Sequence, residues 1–227
     1  MNPARLFTEA TYLLASVLFI LGLKGMSHPE SARRGMFLAE AGMLAAIIGT
    51  LLHQDIVTYT WIIAGLVIGG IVGALMAIWV PMTAMPQRTA LSHAFGALAA
   101  ALVGVAEYTI RGTEMKKFMF GALGFEVMLG ALTTTGSLIA AGKLQGFIRG
   151  TPIQFRGQHI LNLVLGVATV GCFVYVILNP GAAIVFYNML GLATLFGVLL
   201  VIPIGSADMP VVMSLLNSYA GLAAAAT

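Results

Sequence analysis

The chain has 227 residues, of which 59% are hydrophobic and 8% charged, and its mean hydropathy is +0.99. Soluble domains carry about 25% charged residues, so this composition predicts an all-α polytopic membrane protein and leaves no length for a soluble catalytic domain. The net charge of +3 and pI near 9.2 do not point to nucleic acid, because the eleven Lys and Arg sit in short connections between apolar stretches, where they report membrane orientation.

A 20-residue apolar template matches seven complete spans, at roughly 6 to 24, 35 to 52, 57 to 79, 87 to 107, 118 to 142, 158 to 178 and 181 to 202. An eighth begins near 209 and runs to the chain end. The first span carries Glu9, lacks a small-residue cleavage site and is followed by many others, so it is expected to stay in the mature protein rather than act as a signal peptide. On the third span Gly65, Gly69 and Gly73 recur at every fourth position, a face suited to close helix packing. Trp61 and Trp79 bracket that span about 27 Å apart, as interfacial aromatic belts require.

Basic residues on alternate sides set the expected orientation. Lys24, Arg33, Arg34, Arg88, Lys143, Arg149 and Arg156 fall on one side; Arg5, Arg111, Lys116 and Lys117 fall on the other. The richer side is expected to be cytoplasmic, which puts the N-terminus outside. The eighth span then runs outward, and a ninth is needed to bring the chain back.

Polar side chains inside spans are costly and need a reason. His93 lies about 9 Å inside the cytoplasmic end of the fourth span, on a face with Ala97, Ala100 and Gly104. Imidazole titrates near neutrality and can carry a proton through a cycle; a structural hydrogen bond is the alternative. On the fifth span Glu126 and Ser137 are eleven residues apart and share one face with Gly130 and Thr133 or Thr134. Glu126, about 12 Å from the outer end, either passes a proton toward the hydroxyls or hydrogen-bonds a neighbouring helix. Thr133, Thr134 and Thr135 also have a purely structural option, bonding their own i−4 carbonyls.

Gly205 to Ala226 places Asp208, Ser214, Asn217, Ser218 and Tyr219 on or beside the eighth span. Asn217 sits about 13 Å into it, a depth close to that of His93, so a contact between the two is geometrically open. Asp208 precedes Pro210 at the start of the helix, where it either caps free N–H groups or works at the cytoplasmic mouth. Nine residues from Asn217, it cannot share a straight stripe with it.

Dinucleotide and phosphate-loop signatures, HExxH and metal-spaced Cys or His clusters are absent from the sequence. The one cysteine, Cys172, lies in an apolar segment and reads as structural. His28 and His53 fall in or beside connections, and His159 near the inner end of the sixth span, where surface placement is the default.

Four blocks, SHPESARRG at 27–35, LSHAFGALAAALVG at 91–104, TTTGSLIAAGKL at 133–144 and GSADMPVVMSLLNSYAGLAAAA at 205–226, resemble the membrane domain of the beta subunit of bacterial proton-translocating NAD(P)+ transhydrogenase. The resemblance extends over nearly the whole chain. It implies a nine-span subunit of the bacterial inner membrane with its N-terminus outside, coupling inward proton movement to reversible hydride transfer between NADH and NADP+. The nucleotides would bind soluble domains beyond this chain: an NADP(H)-binding domain that follows the ninth span, and an NAD(H) domain on an alpha subunit that also adds spans. Residues 1–227 would be the proton-channel domain, with no cofactor or metal of its own and no hydride transfer alone. A dimer of alpha-beta units is the expected assembly. His93 corresponds to the family's proton-transferring histidine, Asn217 to the polar residue near it, Ser137 to its glycine-serine motif and Asp208 to the acidic residue at the cytoplasmic mouth. Glu126 occupies an EVxLG context like the family's. A secondary transporter or ion-channel subunit is the competing reading; it predicts paired interrupted helices and inverted-repeat symmetry.

Overall fold

In lipid a backbone must satisfy its own N–H and C=O groups, and an apolar segment does so by forming a helix. The computed structural model describes residues 3–52, 59–112 and 115–226, and side chains from residue 6 onward. It contains α1 (Pro3–Met26), α2 (Ala32–Leu51), α3 (Thr60–Trp79), α4 (Met85–Arg111), α5 (Lys117–Leu144), α6 (Gln158–Leu178), α7 (Ala183–Val201) and α8 (Met209–Ala226). Among the described residues there is no strand, and all eight helices are long and apolar enough to cross a bilayer. The chain is therefore an all-α, multi-pass membrane protein whose helices fall where the hydropathy placed them. His53 lies outside the described residues.

The chain forms two compact units, Met1–Ala74 and Leu75–Thr227, with the boundary inside α3. In the first, α1 and α2 make an antiparallel hairpin whose contact face is built of small residues. Gly35 meets the Gly22 carbonyl and the Gly25 backbone, Gly42 meets Ala15 and Leu18, and Gly49 meets Thr11. Ser31 Oγ donates to the Gly25 carbonyl at 2.7 Å and closes the turn. On α3, among the described residues and apart from the helix's own backbone, no heavy atom lies within 4 Å of where Cβ atoms on Gly65, Gly69 and Gly73 would stand, and Trp61 and Trp79 are exposed.

In the second unit α5 is the central helix, packed against α4, α6, α7 and α8. Residues 126–134 are all buried; nine consecutive positions circle the helix more than twice, so α5 is enclosed rather than amphipathic. Two glycines permit that enclosure. A Cβ on Gly130 would stand 3.0 Å from the Ala97 carbonyl oxygen and the Ala101 nitrogen of α4, and one on Gly197 of α7 would collide with the Leu132 carbonyl. Gly146, in the left-handed region at φ +80°, ends α5, its N–H turning back to the Lys143 carbonyl at 3.3 Å.

Candidate functional site

Glu126, Thr133 and Ser137 of α5 are all buried, so the polar stripe expected on this helix lies inside the bundle. Its hydroxyls do not behave alike. Thr134 Oγ1 donates to its own Gly130 carbonyl at 2.7 Å, and Thr135 Oγ1 crosses to the Thr194 carbonyl of α7 at 2.8 Å. Those two have the structural explanation open to any threonine in a span. Thr133 Oγ1 and Ser137 Oγ have no hydrogen-bond partner among the described residues, although their residues are 0% and 1% exposed. Four residues apart, they share a face.

Three contacts fix the antiparallel register of α4 against α5. Gln87 Nε2 donates to the Leu144 carbonyl at 3.1 Å, Gly130 abuts Ala97 and Ala101, and Gly104 faces Val127 and Glu126. Interpolating between them puts His93 level with Ser137 and Ala97 level with Thr133. His93 is half-buried, and its Nδ1 is a further buried atom with no partner. Three unpartnered polar atoms on α4 and α5 thus occur within about 6 Å along the helix axes, four residues' rise. Leaving such an atom unsatisfied costs about 1–3 kcal/mol, which three apolar residues would avoid.

Antiparallel contacts also place α8. Leu216 lies against Gly136, and Ala226 borders the same cavity as Glu126, so Asn217 falls about 3 Å along the axis from the Ser137 level. His93, Ser137 and Asn217 therefore lie at similar depths. The Asn217 residue is exposed, and no hydrogen bond joins it to His93 among the described residues. Asp208 ends a short 3-10 turn, Ser206–Asp208, immediately before α8. It is exposed.

Toward the Lys117 end of α5, a cavity of about 440 Å³ is lined by Glu107, Gly104, Met115, Phe118, Glu126 and Ala226, among others. A Cβ on Gly104 would collide with Val127 Cγ2 and would only touch Glu126 Oε2, at 3.6 Å, so the glycine lets α4 approach Val127 and leaves the carboxylate in ordinary contact. Glu107 pairs with Arg111 one turn along at 3.4 Å. Among the described residues no group of three His, Cys, Asp or Glu is placed to hold a metal ion.

Lys143 is the residue that sequence reasoning misplaced. Counted there as a cytoplasmic connection charge, it is 3% exposed, and its ammonium donates to the Ile202 and Ile204 carbonyls at 2.5 and 2.7 Å. The only hint in the sequence is its position at the end of a block otherwise carrying the hydroxyl stripe, TTTGSLIAAGKL.

Comparison with known proteins agrees with this architecture. The family described as NAD(P) transhydrogenase beta subunit matches residues 8–227. Two curated relatives named NAD(P) transhydrogenase subunit beta, from Rhodospirillum rubrum and from a designated strain of it, are each 42% identical over 229 aligned residues. Each alignment covers 96% of this chain and 48% of the relative, so the chain spans about half the length of the curated relatives it matches. A transporter or channel of unrelated kind is not favoured: the chain belongs to the NAD(P) transhydrogenase beta-subunit family.

Proposed function

We propose that residues 1–227 form the proton-translocating membrane part of a transhydrogenase, coupling inward proton movement to reversible hydride transfer between NADH and NADP+. The observation that carries the reading is the shared level of His93 and Ser137, with His93 Nδ1, Ser137 Oγ and Thr133 Oγ1 buried and without a partner among the described residues. An imidazole beside hydroxyls has a ring nitrogen that can take up a proton and another that can release one, which suits it to receive a proton on one side and pass it on at the other. Asn217, at the same depth, orients the imidazole or a water beside it once the assembly encloses α8. Glu126 serves the opposite half of the path, and Asp208 stands where α8 meets the cytoplasm.

The nucleotides bind outside this chain, NADP(H) on the domain following a ninth span and NAD(H) on the alpha subunit, with alpha-beta units paired as a dimer. The chain sits in the bacterial inner membrane, N-terminus outside, consistent with six basic residues on one side, the buried Lys143 left out, against four on the other. Redox state at the NADP(H) site selects which side His93 exchanges with, a differential free energy between two states. The membrane potential adds about 2.3 kcal/mol per charge per 100 mV.

The test places the complete complex in sealed liposomes and follows internal pH while NADPH reduces an NAD+ analogue. His93→Ala is expected to abolish proton movement and the hydride transfer linked to it while leaving the helical content intact. Unchanged pumping and hydride transfer in that variant overturn the role of His93.

A further inference from the structure

At the C-terminal end of a helix the last carbonyls have no intrahelical partner, and a cation there is favourable. Lys143 answers that need across helices rather than within one. Its ammonium, on the last turn of α5, reaches the carbonyls of Ile202, which caps α7, and of Ile204, in the α7–α8 connection. Two further bonds hold the same connection to the stretch after α5. Ser206 N–H donates to the Gly150 carbonyl at 2.8 Å and Ile153 N–H to the Ile202 carbonyl at 3.3 Å. Asp208 follows Ser206 by two residues, and the buried Met209 then starts α8.

Burying an ammonium in a span is expensive. A methionine would fill similar space without that cost, so packing alone does not account for the charge. What the charge provides is a tie between two elements: α5, which carries Ser137 six residues earlier, and the connection that carries Asp208.

We propose that Lys143 is a positioning residue that clasps the α7–α8 connection, and with it Asp208, to the end of α5. Displacement of that connection by the NADP(H)-binding domain then moves α5 and its hydroxyl stripe. The proposal rests on the function given above. It adds the link through which the soluble domain is felt in the proton path. Spatial intermediacy alone is no proof of coupling, so the measurement must read coupling directly.

That measurement is the number of protons moved per hydride transferred, by the complete complex in sealed liposomes. Lys143→Met is expected to retain hydride transfer while most of the protons moved per hydride are lost. Lys143→Arg, which keeps a donor cation, is expected to preserve much of the ratio. A covalent substitute for the clasp is also available. A Cβ on Gly150 would stand 3.5 Å from Ser206 Cβ, within the span of a disulfide. In a Lys143→Met background, oxidised Gly150→Cys/Ser206→Cys is expected to restore the ratio, and reduction to remove it again. An unchanged ratio in Lys143→Met, above a wild type that pumps, overturns the clasp alone. So does a complex that assembles poorly in Lys143→Met and is not rescued by the disulfide, since Lys143 is then only a folding residue. A wild type that moves no protons overturns the functional reading itself.

Discussion

Gly130 of α5 lies against the Ala97 carbonyl of α4 so closely that an added Cβ would stand 3.0 Å from that oxygen. This approach, with the Gln87 to Leu144 bond, sets the register that brings His93 level with Ser137. The backbone on the far side cannot yield as a flexible side chain would. Gly130→Val is therefore expected to force α4 from α5 and destabilise the unit by about 1–3 kcal/mol, the usual cost of overpacking. Thermal unfolding of the purified complex in detergent checks the stability. Proton movement should fall with it, because the variant separates the levels of His93 and Ser137.

Thr133 and Thr134 are neighbours with opposite expectations. The Thr134 hydroxyl is satisfied by its own helix, whereas the Thr133 hydroxyl is buried without a partner. Removing an unsatisfied buried group while keeping its shape is neutral or stabilising. Thr133→Val should thus leave the melting temperature unchanged or raised, yet slow proton movement in liposomes. Thr134→Val should lose about 0.5–1.5 kcal/mol, a typical net hydrogen bond, with pumping per folded complex unchanged. A Thr133→Val complex that pumps at the wild-type rate removes that hydroxyl from the path.

Much of this arrangement was legible beforehand. The eight spans follow from apolar length, and the alignment of Glu126 with Ser137 follows from the helical period, because both depend on residues near one another in sequence. Lys143 was not legible in this way. Counting basic residues by connection ignores burial, and the carbonyls that hold Lys143 belong to residues 59 and 61 positions away. No periodicity on α5 announces them. The difference between Thr133 and Thr134 is also invisible in sequence, since it depends on which rotamer meets a carbonyl. Asn217 is a third instance: its depth follows from counting residues, but its exposure depends on which face of α8 packs on α5.

Glu126 and Glu107 line the same cavity, but only Glu126 is buried at its edge beside Gly104. In the proposed orientation this cavity lies in the outer half of the bundle. Glu126→Gln preserves size and most hydrogen bonding while removing the exchangeable charge. It is expected to slow proton movement and to flatten its dependence on external pH, with the complex assembled normally. Stopped-flow pH recording across an external pH series measures both. A wild-type profile in the glutamine variant would leave Glu126 a structural hydrogen-bonding group.

Asp208 separates capping from coupling most cleanly. An N-cap carboxylate replaced by alanine costs about 0.5–2 kcal/mol, but Asp208 is exposed, on the 3-10 turn that precedes α8. Asp208→Ala should therefore stay within about 0.5 kcal/mol of wild-type stability, as an ordinary surface substitution does. Its effect should fall instead on protons moved per hydride, because the carboxylate stands on the connection that Lys143 ties to α5. Asp208→Asn, which keeps the shape and loses the charge, should share that defect if charge is what the soluble domain reads. Measured side by side, a loss of stability with an intact ratio would return Asp208 to a capping role, whereas an intact melting temperature with a lowered ratio places it in the coupling path.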